Sequence, residues 1–79
     1  MDYGEDRRAD VNSSMISAIG TKGDWLIVWF SNNTAYRYRD AAHKYDQLVS
    51  SESVGKTFHQ EVRNSFSCEK LKDFWPDSE

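Results

Sequence analysis

Cysteine, proline and long apolar runs are scarce in this chain of 79 residues. The one cysteine, Cys68, cannot form an internal disulfide, which favours a reducing compartment, and we expect a cytoplasmic protein. The longest apolar run, Trp25–Phe30, is too short to span a bilayer, and the polar first residues predict no signal peptide. We therefore expect one small domain with no membrane partner.

Positive charge is not in excess either: 10 Lys and Arg residues stand against 13 Asp and Glu, a net charge of −3. The net charge therefore does not favour nucleic-acid binding, although a local basic surface could still bind nucleic acid. Residues 1–10 and residues 65–79 each hold four acidic and two basic residues, so 11–64 carries +1. We expect a flexible tail over 1–10, a domain over 11–66 and an acidic C-terminal extension over 67–79.

Turn residues divide the chain into three strand-like and two helix-like segments. Strands are predicted at 14–19, 25–30 and 34–39, and helices at 41–49 and 53–66. Asp40 is expected to cap the first helix, and Val54, Phe58 and Val62 form the apolar stripe of the second. The order β-β-β-α-α predicts an α+β fold, in which a three-stranded antiparallel sheet is packed by two helices on one face.

The loop between the second and third predicted strands decides which side chains share a face. A two-residue turn at 32–33 would put Tyr36 opposite Trp29, whereas a three-residue loop puts it opposite Val28. We favour the longer loop, because it places Tyr36 and Tyr38 together on the buried side. The opposite face is then open and carries two tryptophans, an isoleucine and two arginines: Trp25, Ile27, Trp29, Arg37 and Arg39.

Three short motifs resemble, in their order and spacing, the KTSC domain. They are Val11-Asn12-Ser13-Ser14, Phe30 followed by Tyr36-Arg37-Tyr38, and Ser53-Val54-Gly55-Lys56 with Phe58 and Val62-Arg63. This small domain is named for the C-terminus of some lysyl-tRNA synthetases and also stands alone in bacterial and phage proteins. Where the family usually has Val-Pro at the first helix, this chain has Ala41-Ala42.

The resemblance implies a stand-alone domain with a bacterial housekeeping or a phage accessory role. RNA binding has been suggested for the family because of its attachment to a tRNA-charging enzyme, which is an association and not a mechanism. We interpret the signature residues as mainly structural: Ser13, Ser14, Tyr36, Tyr38, Ser53, Gly55 and Phe58.

The sequence contains no pattern that predicts an enzyme. The segment 55–57, Gly-Lys-Thr, is similar to the end of a phosphate-binding P-loop, but Ser50 stands where that motif needs its first glycine. His43 and His59, with the single cysteine, lack the spacing of a metal site. We therefore expect no enzymatic activity, no metal and no cofactor.

The open aromatic and basic face carries the functional prediction. Indole rings stack on bases and guanidinium groups bind phosphates. We therefore expect a non-enzymatic module that binds RNA or single-stranded nucleic acid there, with Lys56 and Arg63 assisting. The alternative is an adaptor or inhibitor that binds a protein partner through the same face, or a homodimer formed through it, because exposed apolar patches mark interfaces.

A third interpretation is that the chain covers this face itself. Leu71, Phe74 and Trp75 have the spacing of a short amphipathic helix. Such a helix would either dock on the core or present an aromatic anchor to another protein. The sequence alone leaves these interpretations open.

Overall fold

The computed structural model describes residues 3–72, 74 and 75. It has an α+β fold in which five antiparallel strands lie in the order of the chain, with the helical segments between the fourth and fifth strands. The strands are β1 (Arg7–Asp10), β2 (Ile16–Lys22), β3 (Trp25–Phe30), β4 (Ala35–Tyr38) and β5 (Cys68–Leu71).

The predicted three-stranded sheet is therefore wrong by two strands. The strands missing from the prediction are β1 and β5, which lie at the two edges of the sheet and pair with β2 and β4. Both are four residues long and rich in charge, as edge strands commonly are because charge discourages pairing with other chains. The helix predicted around Leu71 is also wrong, since Leu71 ends β5.

The pairing of β3 with β4 follows the predicted three-residue loop. Val28 lies opposite Tyr36 and Leu26 lies opposite Tyr38. Asn33 adopts a left-handed φ of 68°, which asparagine tolerates better than most residues. The predicted division of side chains between the two faces of this hairpin is confirmed.

The helical region is shorter and less regular than the predicted helices. A 3₁₀ turn, Ala42–Lys44, leads into α1 (Tyr45–Val49), and α2 (Val54–Phe58) continues as a π-helix, His59–Arg63. Asp40 does not cap the first helix: Ala41 holds the N-cap position of the 3₁₀ turn, and Asp40 precedes it with a left-handed φ of 60°. None of the helices in the described part of the chain has the length and apolar composition needed to cross a bilayer.

The two faces of the sheet are packed differently. The helix face is covered by the helical segments, and its core includes the predicted stripe of Val54, Phe58 and Val62. The terminal face, named for residues near the two ends of the chain, has a smaller core: Tyr3, Ala18, Ile27, Trp29, Ala35 and Leu71, with Trp75 packed against it. Apolar side chains are thus buried on both sides of the sheet.

Gly20 in β2 allows β1 and the Trp29 ring to approach closely. A Cβ atom here would clash with the carbonyl oxygen of Arg7 and would lie 3.0 Å from the Trp29 ring. We expect Gly20→Ala to lower the free energy of unfolding by about 2 kcal/mol, because overpacking forces the backbone to shift. Urea unfolding followed by circular dichroism measures this loss.

Gly55→Ala is the matched control for that substitution. A Cβ atom at Gly55 would lie 3.5 Å from Ser13 Oγ, an ordinary contact, and alanine favours helix over glycine. The free energy of unfolding should stay the same or rise by about 0.5–1 kcal/mol. Equal losses in the two variants would contradict the close approach at Gly20.

Candidate functional site

The five side chains predicted to form an open aromatic and basic face do not lie together on an open surface. Ile27, Trp29 and Arg37 are buried, and Arg37 has only 2% of its surface exposed. Trp25 is half-buried and Arg39 is exposed. The predicted pairing of β3 with β4 is confirmed, but the expectation that this face of the sheet is open is wrong for these three residues.

Side chains near the two ends of the chain cover this face. The Tyr3 ring is stacked with Trp29 at a centroid distance of 6.2 Å. The Trp75 ring packs edge-on against Trp25 at 6.0 Å and lies 4.9 Å from the guanidinium carbon of Arg37. Leu71 is buried in the same layer, whereas Phe74 is 64% exposed. The intramolecular cover therefore involves Leu71 and Trp75, together with a tyrosine that sequence reasoning had placed in a tail.

Arg37 sits in an aromatic cage on the terminal face. Its guanidinium carbon lies 3.9 Å from the ring centre of Trp25 and is also close to Trp75. Its Nε donates to Glu69 Oε1 at 2.6 Å, and its Nη2 forms an ion pair with the same carboxylate. Its Nη1 is buried and has no hydrogen-bond partner among the described residues. The buried charge is thus balanced while one donor is left unsatisfied.

The other two predicted basic residues, Lys56 and Arg63, lie away from the cage on the helical segments. Both are exposed. Arg63 Nη1 donates to His59 Nδ1 at 3.1 Å, so that nitrogen of the imidazole is the acceptor. Lys56 and Arg63 are therefore not close enough to the tryptophan face to assist binding there in the way that the sequence predicts.

The serine motifs of the sequence meet at the start of α2. Ser13 and Ser14 line a shallow pocket together with Ser53, Gly55 and Lys56. Ser13 Oγ accepts hydrogen bonds from the backbone N–H groups of Met15 and Ile16, at 3.3 and 3.4 Å, where β2 begins. These hydrogen bonds give the Ser13 hydroxyl a structural role at the start of β2.

Sequence reasoning missed a groove between β5 and the π-helix. This helix-side groove has a volume of about 590 Å³. The side chains that define it are Phe30, Tyr36, Tyr38, His59, Arg63 and Lys70. It exists because β5 adds a strand beside β4, and Lys70 of β5 lies opposite Tyr36 in the pairing. Since β5 was not predicted, nothing in the sequence analysis could place Lys70 beside the signature tyrosines.

The helix-side groove combines aromatic surface with positive charge. Tyr36 and Phe30 are both half-buried and pack edge-on at 5.7 Å, so parts of both rings face the groove. Arg63 and Lys70 are exposed. No acidic side chain is among the described residues that line the groove. Its composition suits a ligand that is flat and negatively charged.

Tyr38 and Phe58 form the inner wall of the groove. Their rings pack edge-on at 5.4 Å, and both side chains are buried. Burial, followed by the neighbouring Cys68 and Tyr36, raises the pKa of Tyr38 well above its ordinary value. Its phenol therefore stays neutral and can serve as a hydrogen-bond donor, while Tyr36 is the signature tyrosine that a ligand can reach.

Comparison with known families gives one result. The family model described as KTSC domain matches residues 12–66, which is more than half of the chain. The matched segment contains both signature tyrosines and all of the helical region. A comparison with curated proteins finds no match to this chain.

Proposed function

We propose that this chain, which belongs to the KTSC domain family, is a non-enzymatic module that binds RNA or single-stranded nucleic acid in the helix-side groove. The observation that carries the proposal is the composition of the groove. Half-buried aromatic rings lie beside two exposed cations, and no acidic side chain is among the described residues of its lining. Single-stranded nucleic acids are bound by this combination of stacking surface and positive charge.

The strength of such binding follows from the size of the groove. Each stacked base contributes about 1–3 kcal/mol. The half-buried rings of Tyr36 and Phe30 offer a stacking surface for only a few bases. Lys70 and Arg63 are placed to contact about two phosphates. For two phosphates of a single strand, a plot of log affinity against log salt concentration has a slope of about −1.4. We therefore propose weak binding that a tenfold rise in salt reduces by about 25-fold.

Fluorescence anisotropy with a labelled oligouridylate, and with oligothymidylate of the same length, tests the proposal. We expect Lys70→Ala to weaken binding by roughly threefold to tenfold and to make its salt slope shallower by about 0.7, the contribution of one phosphate. Tyr36→Leu keeps an apolar side chain but removes the stacking ring, and should weaken binding without changing the salt slope.

Lys72→Ala is the matched control for Lys70. Lys72 is also exposed, but it lines a different pocket and not the helix-side groove. Equal weakening by Lys70→Ala and Lys72→Ala would contradict a specific role of the groove. Absence of binding to either oligonucleotide at low salt would reject nucleic acid as the ligand.

A protein partner is the second candidate, and the exposed edge of β5 favours it. Among the described residues β5 pairs only with β4, so its outer edge is free to accept another strand. Phe74, close beyond β5, is 64% exposed and offers an apolar anchor. An adaptor or inhibitor of this kind would bind in a salt-tolerant manner and would lose affinity in Phe74→Ala. The same edge, more than the covered terminal face, would serve a homodimer.

We also propose that the protein works in a reducing compartment such as the cytoplasm. The support is Cys68, which is free and exposed beside the groove. An exposed thiol in an oxidising compartment would be liable to form disulfides with other molecules.

A further inference from the structure

We propose that the Trp75 side chain is a displaceable cover over a second nucleic-acid contact, formed by Trp25, Arg37 and Arg39 on the terminal face. A base would take the place of the indole, and a phosphate would meet the arginines. This inference rests on the proposed function, because it takes the same class of ligand, but it concerns the opposite face of the sheet.

The first observation is the unsatisfied donor of Arg37. Its side chain is almost completely buried, yet Nη1 has no hydrogen-bond partner among the described residues. A buried donor without a partner is rare in native structures and calls for an explanation. A phosphate oxygen is the acceptor that a guanidinium group binds best, since its donors match phosphate geometry and the bond is charge-assisted.

The second observation is what closes the cage. Trp25 belongs to β3, whereas Trp75 lies outside the strands and helices. The two rings pack edge-on, and the Arg37 guanidinium lies against both. Trp75 therefore holds the position that a stacking base would occupy beside Trp25 and over Arg37.

The third observation is that the contacts of Trp75 are of a size that a nucleotide can match. Trp75 is half-buried, and its ring contacts Tyr3 and Trp25 at centroid distances of 6.3 and 6.0 Å, and Arg37 and Lys22 at cation-to-centroid distances of 4.9 and 5.6 Å. Aromatic pairs contribute about 0.5–1.5 kcal/mol each beyond their buried area, and cation–π contacts at exposed sites contribute about 0.5–1 kcal/mol each. A stacked base contributes about 1–3 kcal/mol, and a charge-assisted hydrogen bond from Arg37 to its phosphate adds about 1.5–3 kcal/mol. A base with its phosphate can thus compete with the indole for the same position.

The charges around the cage favour an anion once the cover is displaced. Arg39 lies 4.9 Å from the Trp25 ring and is exposed, and Lys22 lies over Trp75. Glu69 is the carboxylate in the cage and is already paired with Arg37. Among the described residues that contact the two indoles or Arg37, three cations therefore stand against one anion around the position that the base would enter.

Trp75→Ala tests the inference because it predicts a gain of affinity. When a competent site is open for only a fraction of the time, the dissociation constant rises by the inverse of that fraction. If the cage is open for about one tenth of the time, removal of the cover strengthens binding of oligouridylate by up to about tenfold. Arg39→Gln in the Trp75→Ala protein should abolish this gain, because the exposed phosphate contact is lost.

Two further variants control the experiment. Phe74→Ala removes a neighbouring aromatic ring that is exposed and outside the cage, and should leave the affinity unchanged. Trp75→Leu removes the indole but keeps part of its apolar contact with the core, for the case that Trp75→Ala does not fold, and should still strengthen binding by a smaller factor. Unchanged or weaker binding in a folded Trp75 variant would overturn the cover.

The outcomes separate this inference from the proposed function. Lys70→Ala tests the helix-side groove, whereas the Trp75 variants test the opposite face. Loss of affinity in Lys70→Ala with no gain in Trp75→Ala rejects the cover and retains the groove. A gain in Trp75→Ala that Lys70→Ala does not diminish supports the cover and rejects the groove.

Discussion

Replacing Phe58 by alanine is expected to lower the free energy of unfolding by about 3–5 kcal/mol. The ring is 2% exposed and lies at the centre of the helix-side core. It packs edge-on against Phe30 at 5.8 Å and against Tyr38 at 5.4 Å. Truncation removes the larger of the two buried side chains of α2 and leaves a cavity in the core between this helix and the sheet.

The size of this loss decides whether the protein stays folded. A domain of this length has a total free energy of unfolding of roughly 4–12 kcal/mol, so Phe58→Ala removes at least about a quarter of it. Chemical denaturation and thermal unfolding measure the effect. Phe74→Ala deletes the same ring at a position that is 64% exposed, and should change stability by less than about 0.5 kcal/mol. Similar losses in both variants would contradict the assigned core.

Replacing Glu69 by alanine is expected to destabilise the protein by about 2 kcal/mol, because it leaves the buried Arg37 guanidinium without its counter-charge. Breaking a fully buried ion pair costs about 3–5 kcal/mol. The expected cost here is smaller, since the Glu69 side chain is 57% exposed and water can partly replace it. Urea unfolding at low and high salt measures the loss.

A double variant separates the charge from the shape of the side chain. Arg37→Met fills the space between the two indoles with an apolar chain that aromatic rings accept well. In the Glu69→Ala protein, Arg37→Met should therefore restore stability, because no uncompensated charge remains buried. A double variant less stable than Glu69→Ala alone would show that packing of the Arg37 side chain, and not its charge, is what the cage requires.

The β3–β4 hairpin could be predicted from the sequence because its signals are local. The turn is short, and Asn33 tolerates the left-handed conformation that it needs. Shifting the pairing by one residue would have moved both signature tyrosines to the opposite face of the sheet. The stripe of Val54, Phe58 and Val62 was equally accessible, since its helical spacing needs no knowledge of the sheet.

The edge strands could not be predicted, because a segment of four residues, at least two of them charged, pairs only when a neighbouring strand is already in place. That one omission explains the error in the candidate site. Without β1 and β5 the terminal face appeared open, although Tyr3 and Trp75 cover it, and the helix-side groove had no second wall. Arg37 shows the limit most clearly: its burial depends on Glu69, which lies 32 residues away in the chain.

The position of β5 has a kinetic consequence. Strands β1 to β4 are joined by short connections and pair with their neighbours in sequence, whereas the pairing of β4 with β5 must close the whole helical segment 39–67. The entropy lost in closing a loop grows with its length, and distant contacts slow folding. We therefore expect β5 to join the sheet last and its amide hydrogens to exchange soonest among those of the strands. β5 contributes Glu69 to the cage on the terminal face and Lys70 to the helix-side groove. We therefore expect both faces of the sheet to be completed in the same late step of folding.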